Sequence, residues 1–460
     1  MFIGREKVLK ELTEQLESKK KTAVLVYGKR RVGKTTLIAE ASKSFSGLVI
    51  EQLFTNSTLS GNIALFGATV CEALDLPPVR FQTLNDIFEF LKSQKRDILV
   101  VMDEYQYLKQ SGKKNEVDSF LQDIVDHLTP QVKVVLCGSY ITIMKELLER
   151  ENPLFGRFTH IVHLEEFDYY DAARFYPEAS VRRKIANYAI FGGSPFVLEN
   201  LEESRSLKEN VVNLLLPETG LLRSYMENII LREIQKVYDI RIFEALGNGK
   251  KRYSEIQSLL GGDGNGLLDK QLKTLIQMES ISKVAPINKQ NDKKKQFYEI
   301  TDNLMRFYFT FIFNRTGQIS RLGEEAYYDA YIEPLLNQFI SRRFEDQVRQ
   351  YFGRVIRAGK RKDILDYGTL WYDDPKTRTN GEFDCVLETK SGYEFYECKF
   401  YRDPMGVREC EEEEVQMRNV PGVEPVKVGF ACSAGFAFSG SPYTLITGEE
   451  LYDASLQLGA

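Results

Sequence analysis

The chain has 460 residues, of which 43% are hydrophobic and 28% charged, with a net charge of −5 at pH 7. This composition describes a globular chain of roughly one to four domains and excludes a global cationic field, so any DNA contact needs a local basic patch. Apolar runs such as Ile98–Met102 are too short to span a bilayer and the opening MFIGREK lacks a signal-peptide profile, so a cytoplasmic protein without membrane contact is expected.

The six cysteines are scattered without a CxxC pair and read as reduced thiols. His127, His160 and His163 have no zinc-site spacing, and the latter two sit in a strand-like run.

In chain order, Phe2-Ile3-Gly4-Arg5-Glu6 leads into an amphipathic helix with Val8, Leu9, Leu12 and Leu16 on one stripe. The apolar strand Ala23–Val26 then feeds Gly28-x-x-x-x-Gly33-Lys34-Thr35-Thr36, the P-loop pattern. Glycine lets the loop backbone approach a phosphate chain, and the helix from Lys34 turns its N-terminal dipole on it. Lys34 is expected to meet the β- and γ-phosphates of ATP. Thr35 is expected on Mg²⁺, and Thr36 completes the nucleotide contacts.

Ile98-Leu99-Val100-Val101-Met102 predicts a strand buried on both faces, and Asp103-Glu104 stand at its carboxyl end, where open α/β sheets bind ligands. Asp103 would join Thr35 around Mg²⁺ and Glu104 would orient the attacking water. The bland alternative is an acidic helix cap. A third buried strand, Val132–Leu136, ends in Cys137-Gly138-Ser139; Ser139 either watches the γ-phosphate or caps the next helix. Pro153-Leu154-Phe155-Gly156-Arg157 follows, its arginine either a phosphate contact or a surface residue in a turn.

Glu166 to about Val237 reads as helical, with Tyr169, Tyr170, Ala173, Phe175 and Tyr176 as a packing face and a helix-breaking Phe191-Gly192-Gly193-Ser194-Pro195 inside it. Short helices are predicted at Ile242–Leu246 and Tyr253–Leu260, a break at GGDGNG (261–266), and a helix with the stripe Leu268, Leu272, Leu275, Ile276. Strands Ile281–Ala285 and Phe297–Ile300 enclose a basic turn. This succession predicts a winged helix. Its Lys270, Lys273, Lys289, Lys293, Lys294 and Lys295 either grip phosphates or form a solvated face of an internal adaptor.

Asn314–Gly323 reads as a connection, and the rest follows an α-β-β-β-α-β order: helix Gln338–Phe352, strands Gly368–Tyr372, Glu382–Leu387 and Tyr393–Phe400, helix Val407–Arg418, strand Val426–Ala431. Glu397 and Lys399, two apart in a strand, share a face. A turn centred on Lys390-Ser391 sets Asp384 opposite Glu397; one centred on Ser391-Gly392 sets it opposite Lys399. Either register gathers two carboxylates and a lysine. The group is a surface salt bridge or a Mg²⁺ (or Mn²⁺) site in which the lysine steadies hydroxide or phosphate charge.

GKRRVGKTT, ILVVMDE, LCGS, PLFGR, FGGSP, the winged-helix pattern and the terminal ECK together resemble the archaeal-type, STAND-like, AAA-related P-loop ATPases with a C-terminal restriction-endonuclease-like PD-(D/E)xK domain. The resemblance implies an α/β P-loop sheet (1–165), a helical lid (166–236), a winged helix (237–313) and an endonuclease-like domain (325–460). It implies that Arg5 in the FxGRE box helps hold the adenine, that Ser139 is a sensor and that Arg157 meets phosphate in cis or from a neighbouring copy in a homo-oligomer. The FGGSP turn resembles one that approaches the nucleotide, or is a plain connector. Glu345, Asp384, Glu397 and Lys399 match the endonuclease-like site, with Phe383 where the pattern has proline. The implied activity is an ATP-hydrolysing switch controlling a Mg²⁺-dependent nuclease on nucleic acid, with DNA the expected partner. A protein partner through the winged helix, or a catalytically silent DNA-binding or scaffold module, is the alternative.

Overall fold

The structure, a computed structural model, describes residues 2–458 apart from 230–233, 235–237, 263–265, 375–378 and 421–422. It divides into two units, the first ending at residue 166 and the second covering 167–458. Part of the expected GGDGNG break and the end of the expected 166–237 helical run lie outside the described residues.

The first unit is built on strands β1 (Ala23–Tyr27), β2 (Leu48–Leu53), β3 (Ile98–Asp103), β4 (Val132–Gly138) and β5 (His160–His163), in the spatial order β2-β3-β4-β1-β5. Every pairing is parallel. β1 and β4 are buried along their whole length, which is why β1 is a continuous apolar run and β4 is one apart from Lys133. One face of the sheet packs under Phe66, Phe88, Leu121 and Ile124. The other packs under Leu12 and Leu16 of the helix Glu6–Glu17 and Leu37 and Ile38 of the helix Lys34–Ser42. Because all strands run the same way, Tyr27, Asp103 and Gly138 end on one edge, where the P-loop begins.

The second unit starts with helices from Tyr169–Ala172 to Leu221–Ile229. The helix Val181–Phe191 stops at Gly192 (φ 70°), and a Cβ on Gly193 would lie 1.8 Å from the carbonyl oxygen of Phe167. The Gly-Gly turn thus lets two backbones touch, and Phe167 N–H donates to Gly193 O at 2.9 Å. Helices Arg241–Gly247, Tyr253–Leu259 and Leu267–Gln277 follow, then the antiparallel pair β6 (Ile281–Val284) and β7 (Phe297–Ile300). The expected connection at 314–323 is instead largely a helix, Thr316–Leu322. Only Ile319 is buried in it, so it carries no apolar stripe for sequence reading to detect.

The long helix Glu333–Arg357 precedes β8 (Ile364–Asp374), β9 (Thr379–Thr389), β10 (Gly392–Lys399), the helix Val407–Arg418, β11 (Pro425–Cys432) and β12 (Thr444–Thr447). These strands form one mixed sheet, β12-β11-β10-β9-β8, so the expected α-β-β-β-α-β order is present with one strand added. Phe344, Val348 and Phe352 of the long helix pack with Tyr396, Cys398 and Phe400 of the sheet. Among the described residues no helix is long and apolar enough to cross a membrane.

Candidate functional site

In the first unit, β1 delivers Gly28 against the backbone of residue 164: a Cβ there would lie 2.0 Å from Leu164 O. Gly33 has φ 86°, a conformation that strains other residues. Lys34 is buried at the helix start, and its Nζ donates to Gly28 O (3.0 Å) and Lys29 O (2.8 Å), folding the loop round its own cation. Burial lowers the pKa of Lys34, against the opposing pull of Cys137, Glu104 and Asp103.

Thr35 Oγ1 donates to Asp103 Oδ2 at 3.1 Å, and Asp103 Oδ1 accepts from the backbone of Glu104 at 2.8 Å. Glu104 sits in the left-handed region (φ 54°) at the start of the helix Tyr105–Ser111. Its Oε2 accepts from Ser139 Oγ at 2.6 Å and from Gln106 Nε2. Gln106, fully buried, also accepts from Ser139 N at 3.3 Å, so β3 and β4 are tied together through these three side chains. Thr35 and Asp103 supply the hard oxygen donors that suit Mg²⁺.

Arg5, in the left-handed region at φ 63°, donates to Glu165 O at 2.7 Å. Residue 164 pairs with Tyr27 O at 2.7 Å, so Arg5 is at the P-loop edge. Arg157 is not, contrary to the phosphate contact expected of it within the same chain. It precedes β5, where Thr159 N–H donates to Ala23 O at the opposite end of β1, and its guanidinium is spent on Asp126 (3.0 and 3.1 Å). The length of β1 separates it from Gly28. Two residues escaped the sequence reading. Gln106 could have been noticed as the polar residue one step beyond Asp-Glu-Tyr. Arg30, inside the loop, donates to Tyr107 Oη (3.0 Å) and Tyr140 Oη (3.1 Å); nothing in the motif spacing distinguishes it from Arg31.

In the second unit, Thr389 pairs with Gly392 and Glu388 with Tyr393, the register centred on Lys390-Ser391. Asp384 accordingly comes beside Glu397, and its Oδ2 accepts from Cys398 N at 3.0 Å. Burial, then the neighbouring Glu345, pushes Asp384 up to about 8. Burial, then Asp384, pushes Glu397 up to about 8, and burial pushes Glu345 up to about 7. Lys399 Nζ is enclosed by Glu397 Oε1 (2.9 Å) and Glu413 Oε1 (2.7 Å); burial lowers its pKa, and these two carboxyls more than offset that and raise it. Glu413, hidden in the acidic run of the helix Val407–Arg418, was not anticipated, nor was Arg349, which donates to the backbone oxygen of Asp384 and to Asp346. The donor atoms suit Mg²⁺ or Mn²⁺. The arrangement does not: no group of three or more His, Cys, Asp or Glu side chains among the described residues is placed to hold a metal ion, and Lys399 occupies the space between two of the carboxylates.

A parallel sheet with a P-loop at its carboxyl edge, a threonine–aspartate pair and a tethered glutamate define an ATPase domain of the P-loop class. Residues 2–201 match the family described as an ATPase domain predominantly from Archaea, and residues 308–415 match one described as archaeal and bacterial proteins of unknown function. An uncharacterized protein of Methanocaldococcus jannaschii is 28% identical over 380 residues, which are 81% of this chain and 82% of that one. Among solved structures, the chain is similar to the Walker-type ATPase of Pyrococcus abyssi (22% identity, TM-score 0.46, 67% of this chain and 96% of that one). It is also similar to the ORC2 protein of Aeropyrum pernix in ADPNP–ADP complexes (13% identity, TM-score 0.39, 69% and 93%).

Proposed function

We propose that the chain is an ATP-binding and ATP-hydrolysing switch of the STAND-like type that controls a nuclease-like domain acting on nucleic acid. The observation that carries the first half is the Thr35–Asp103 hydrogen bond beside a glutamate held by Ser139 and Gln106. The loop amides and Lys34 bind the phosphates. Thr35 and Asp103 would hold Mg²⁺, which would supply positive charge against that of the nucleotide phosphates. Glu104 orients the attacking water and accepts its proton, and Ser139 and Gln106 fix the carboxylate that does so. Arg5 contributes from the base side, and Arg157 could serve only from a neighbouring copy in a homo-oligomer.

For the second half, three helices and a hairpin support reading 237–313 as a winged helix, after a helical lid at 166–236. The long helix, the mixed sheet and Asp384 beside Glu397 and Lys399 support a restriction-endonuclease-like reading of 325–460, which would take Mg²⁺ or Mn²⁺ only if Lys399 moved from between Glu397 and Glu413. A second reading, in which this domain binds DNA or a protein partner without cutting, is favoured by the closure of Lys399 between Glu397 and Glu413. Cleavage of a panel of single- and double-stranded DNA and RNA, with Mn²⁺ and with or without ATP, separates them. Metal-dependent cutting lost in Asp384→Ala supports the nuclease. Binding without cutting under every nucleotide condition leaves the second reading.

A further inference from the structure

Within the second unit a cleft of about 1260 Å³ runs between the β6–β7 hairpin, the long helix and the face of β8 and β9. The hairpin is clamped to the sheet. Lys250 pairs with Glu382 and lies 4.6 Å from the Trp371 ring centroid, Phe297 meets Trp371 edge-on at 5.4 Å, and Gln290 donates to Asp366 at 2.9 Å. Ile287 at the hairpin's turn is buried with Leu370 and Phe383 of the sheet. The cleft is therefore a standing feature of this unit.

Its walls carry Lys250, Lys283, Arg306, Arg342, Arg343 and Arg349, and also Glu299, Asp346 and Glu382, which pair with Arg306, with Arg343 and Arg349, and with Lys250. Arg306 and Arg343 are each only 8% exposed. Arg343 pairs with Asp346 at 3.2 Å, yet its Nη1 reaches no acceptor, and Arg306 Nε reaches none either. A buried donor without an acceptor is destabilising, and a shift of the side chain that brings it to an incoming acceptor removes that cost. At the mouth, Arg342 and Lys283 are exposed and have no carboxylate partner among the described residues. Guanidinium forks and lysine ammonium groups around one cavity match phosphate oxygens. Tyr367 and Phe339 line the same walls and provide apolar surface for bases. The volume exceeds the roughly 300–1,000 Å³ of ordinary small-ligand pockets and leaves room for more than one linked nucleotide.

We infer that this cleft is a phosphate-binding site that takes a single strand of nucleic acid, a few nucleotides at a time, along Arg342, Arg343 and Lys283. The inference rests on nucleic acid being what the second unit acts on, but not on cleavage. The strand would pass Glu345 and Asp384, which line the inner end of the cleft, while Glu397 and Lys399 do not line it.

The test is fluorescence anisotropy of a labelled short oligothymidylate and of a labelled duplex with the full chain, in chelator so that no metal-dependent cutting occurs. The single strand should bind tighter than the duplex. The exposed pair Arg342→Ser and Lys283→Ser should weaken it at least tenfold and flatten its log–log salt slope by about 1.4, two phosphate contacts' worth on a single strand, with an unchanged melting temperature. No binding, equal binding of the duplex, or an unchanged double variant overturns the inference. A competition arm with ADP, in the Lys34→Ala background, identifies the source of the phosphate: displacement of the strand at equal affinity would make the ligand a free nucleotide and overturn the strand assignment. Because the assay is blind to cutting, a silent nuclease and an empty cleft give different results.

Discussion

The two charged sites of this chain are built on opposite principles. At the P-loop edge each ionised group is met by a neutral or backbone partner: Lys34 by two carbonyls, Asp103 by a hydroxyl and an N–H, Glu104 by Ser139 and Gln106. In the C-terminal sheet the carboxyls of Glu345, Asp384 and Glu397 are buried beside one another, and Lys399 is shared between Glu397 and Glu413. Neutral tethers hold a charge in place without cancelling it, which leaves it ready for a ligand. Burial, and after it the neighbouring like charges, pushes these carboxyls toward the protonated form. The first site is poised for chemistry and the second is held closed.

The largest expected effect is at the first site. Lys34→Ala should lower ATP affinity or turnover by about 100-fold, because hydrogen bonds to charged groups are worth about 1.5–3 kcal/mol and this is the loop's buried cation. Calorimetry with ATP and Mg²⁺ checks it; unchanged binding and turnover would remove the P-loop assignment. Glu104→Gln should keep ATP binding and slow turnover by about 100-fold or more, the range of general acid–base contributions. Gln106→Ala should slow turnover about tenfold at unchanged affinity, since it only steadies the carboxylate. A fall in affinity instead would mark it as a structural strut.

The second site offers a pH test of the contrast. Asp384 and Glu397 are pushed up to about 8, above their unfolded values, so the native state holds more protons than the unfolded chain between about pH 4 and pH 8. Stability should fall as pH rises through that window and level off above it. In urea unfolding, Asp384→Asn should flatten the slope and stabilise the second unit at pH 8.5 by on the order of 1–2 kcal/mol. Mn²⁺ at pH 8.5 should raise the wild-type midpoint and leave the variant unmoved if these carboxyls take a metal; no rise in the wild type favours the non-cutting reading.

The smallest effect is expected at the hairpin turn. Replacing Lys289, Lys294 and Lys295 by Ser should flatten the salt slope of DNA binding by less than 1, because the hairpin is docked on the C-terminal sheet through Ile287 and its turn lysines do not line the cleft. A larger change would make the turn, rather than the cleft, the main nucleic-acid contact.

Local sequence determined the elements whose patterns are short-range. Continuous apolar runs specified β1 and β3, because a strand covered on both faces is mostly apolar, and β4 follows them apart from Lys133, whose ammonium donates to Ser18 O. The glycines of the P-loop announced the close approach of residue 28 and the left-handed turn at 33. The spacing of Glu397 and Lys399 required a shared face, and only two turn registers were open to Asp384. Tertiary structure decided what depends on distant partners. It chose the Lys390-Ser391 turn, and it placed Arg157 at the far end of β1 on Asp126, because strand direction rather than sequence order sets which edge a residue reaches. It brought Glu413 onto Lys399 and Ser139, at the end of β4, onto Glu104 and Gln106, pairings between distant elements that no local spacing encodes. It also set the hairpin against the sheet to form the arginine-lined cleft, since a cavity belongs to the packing of elements and to none of them alone.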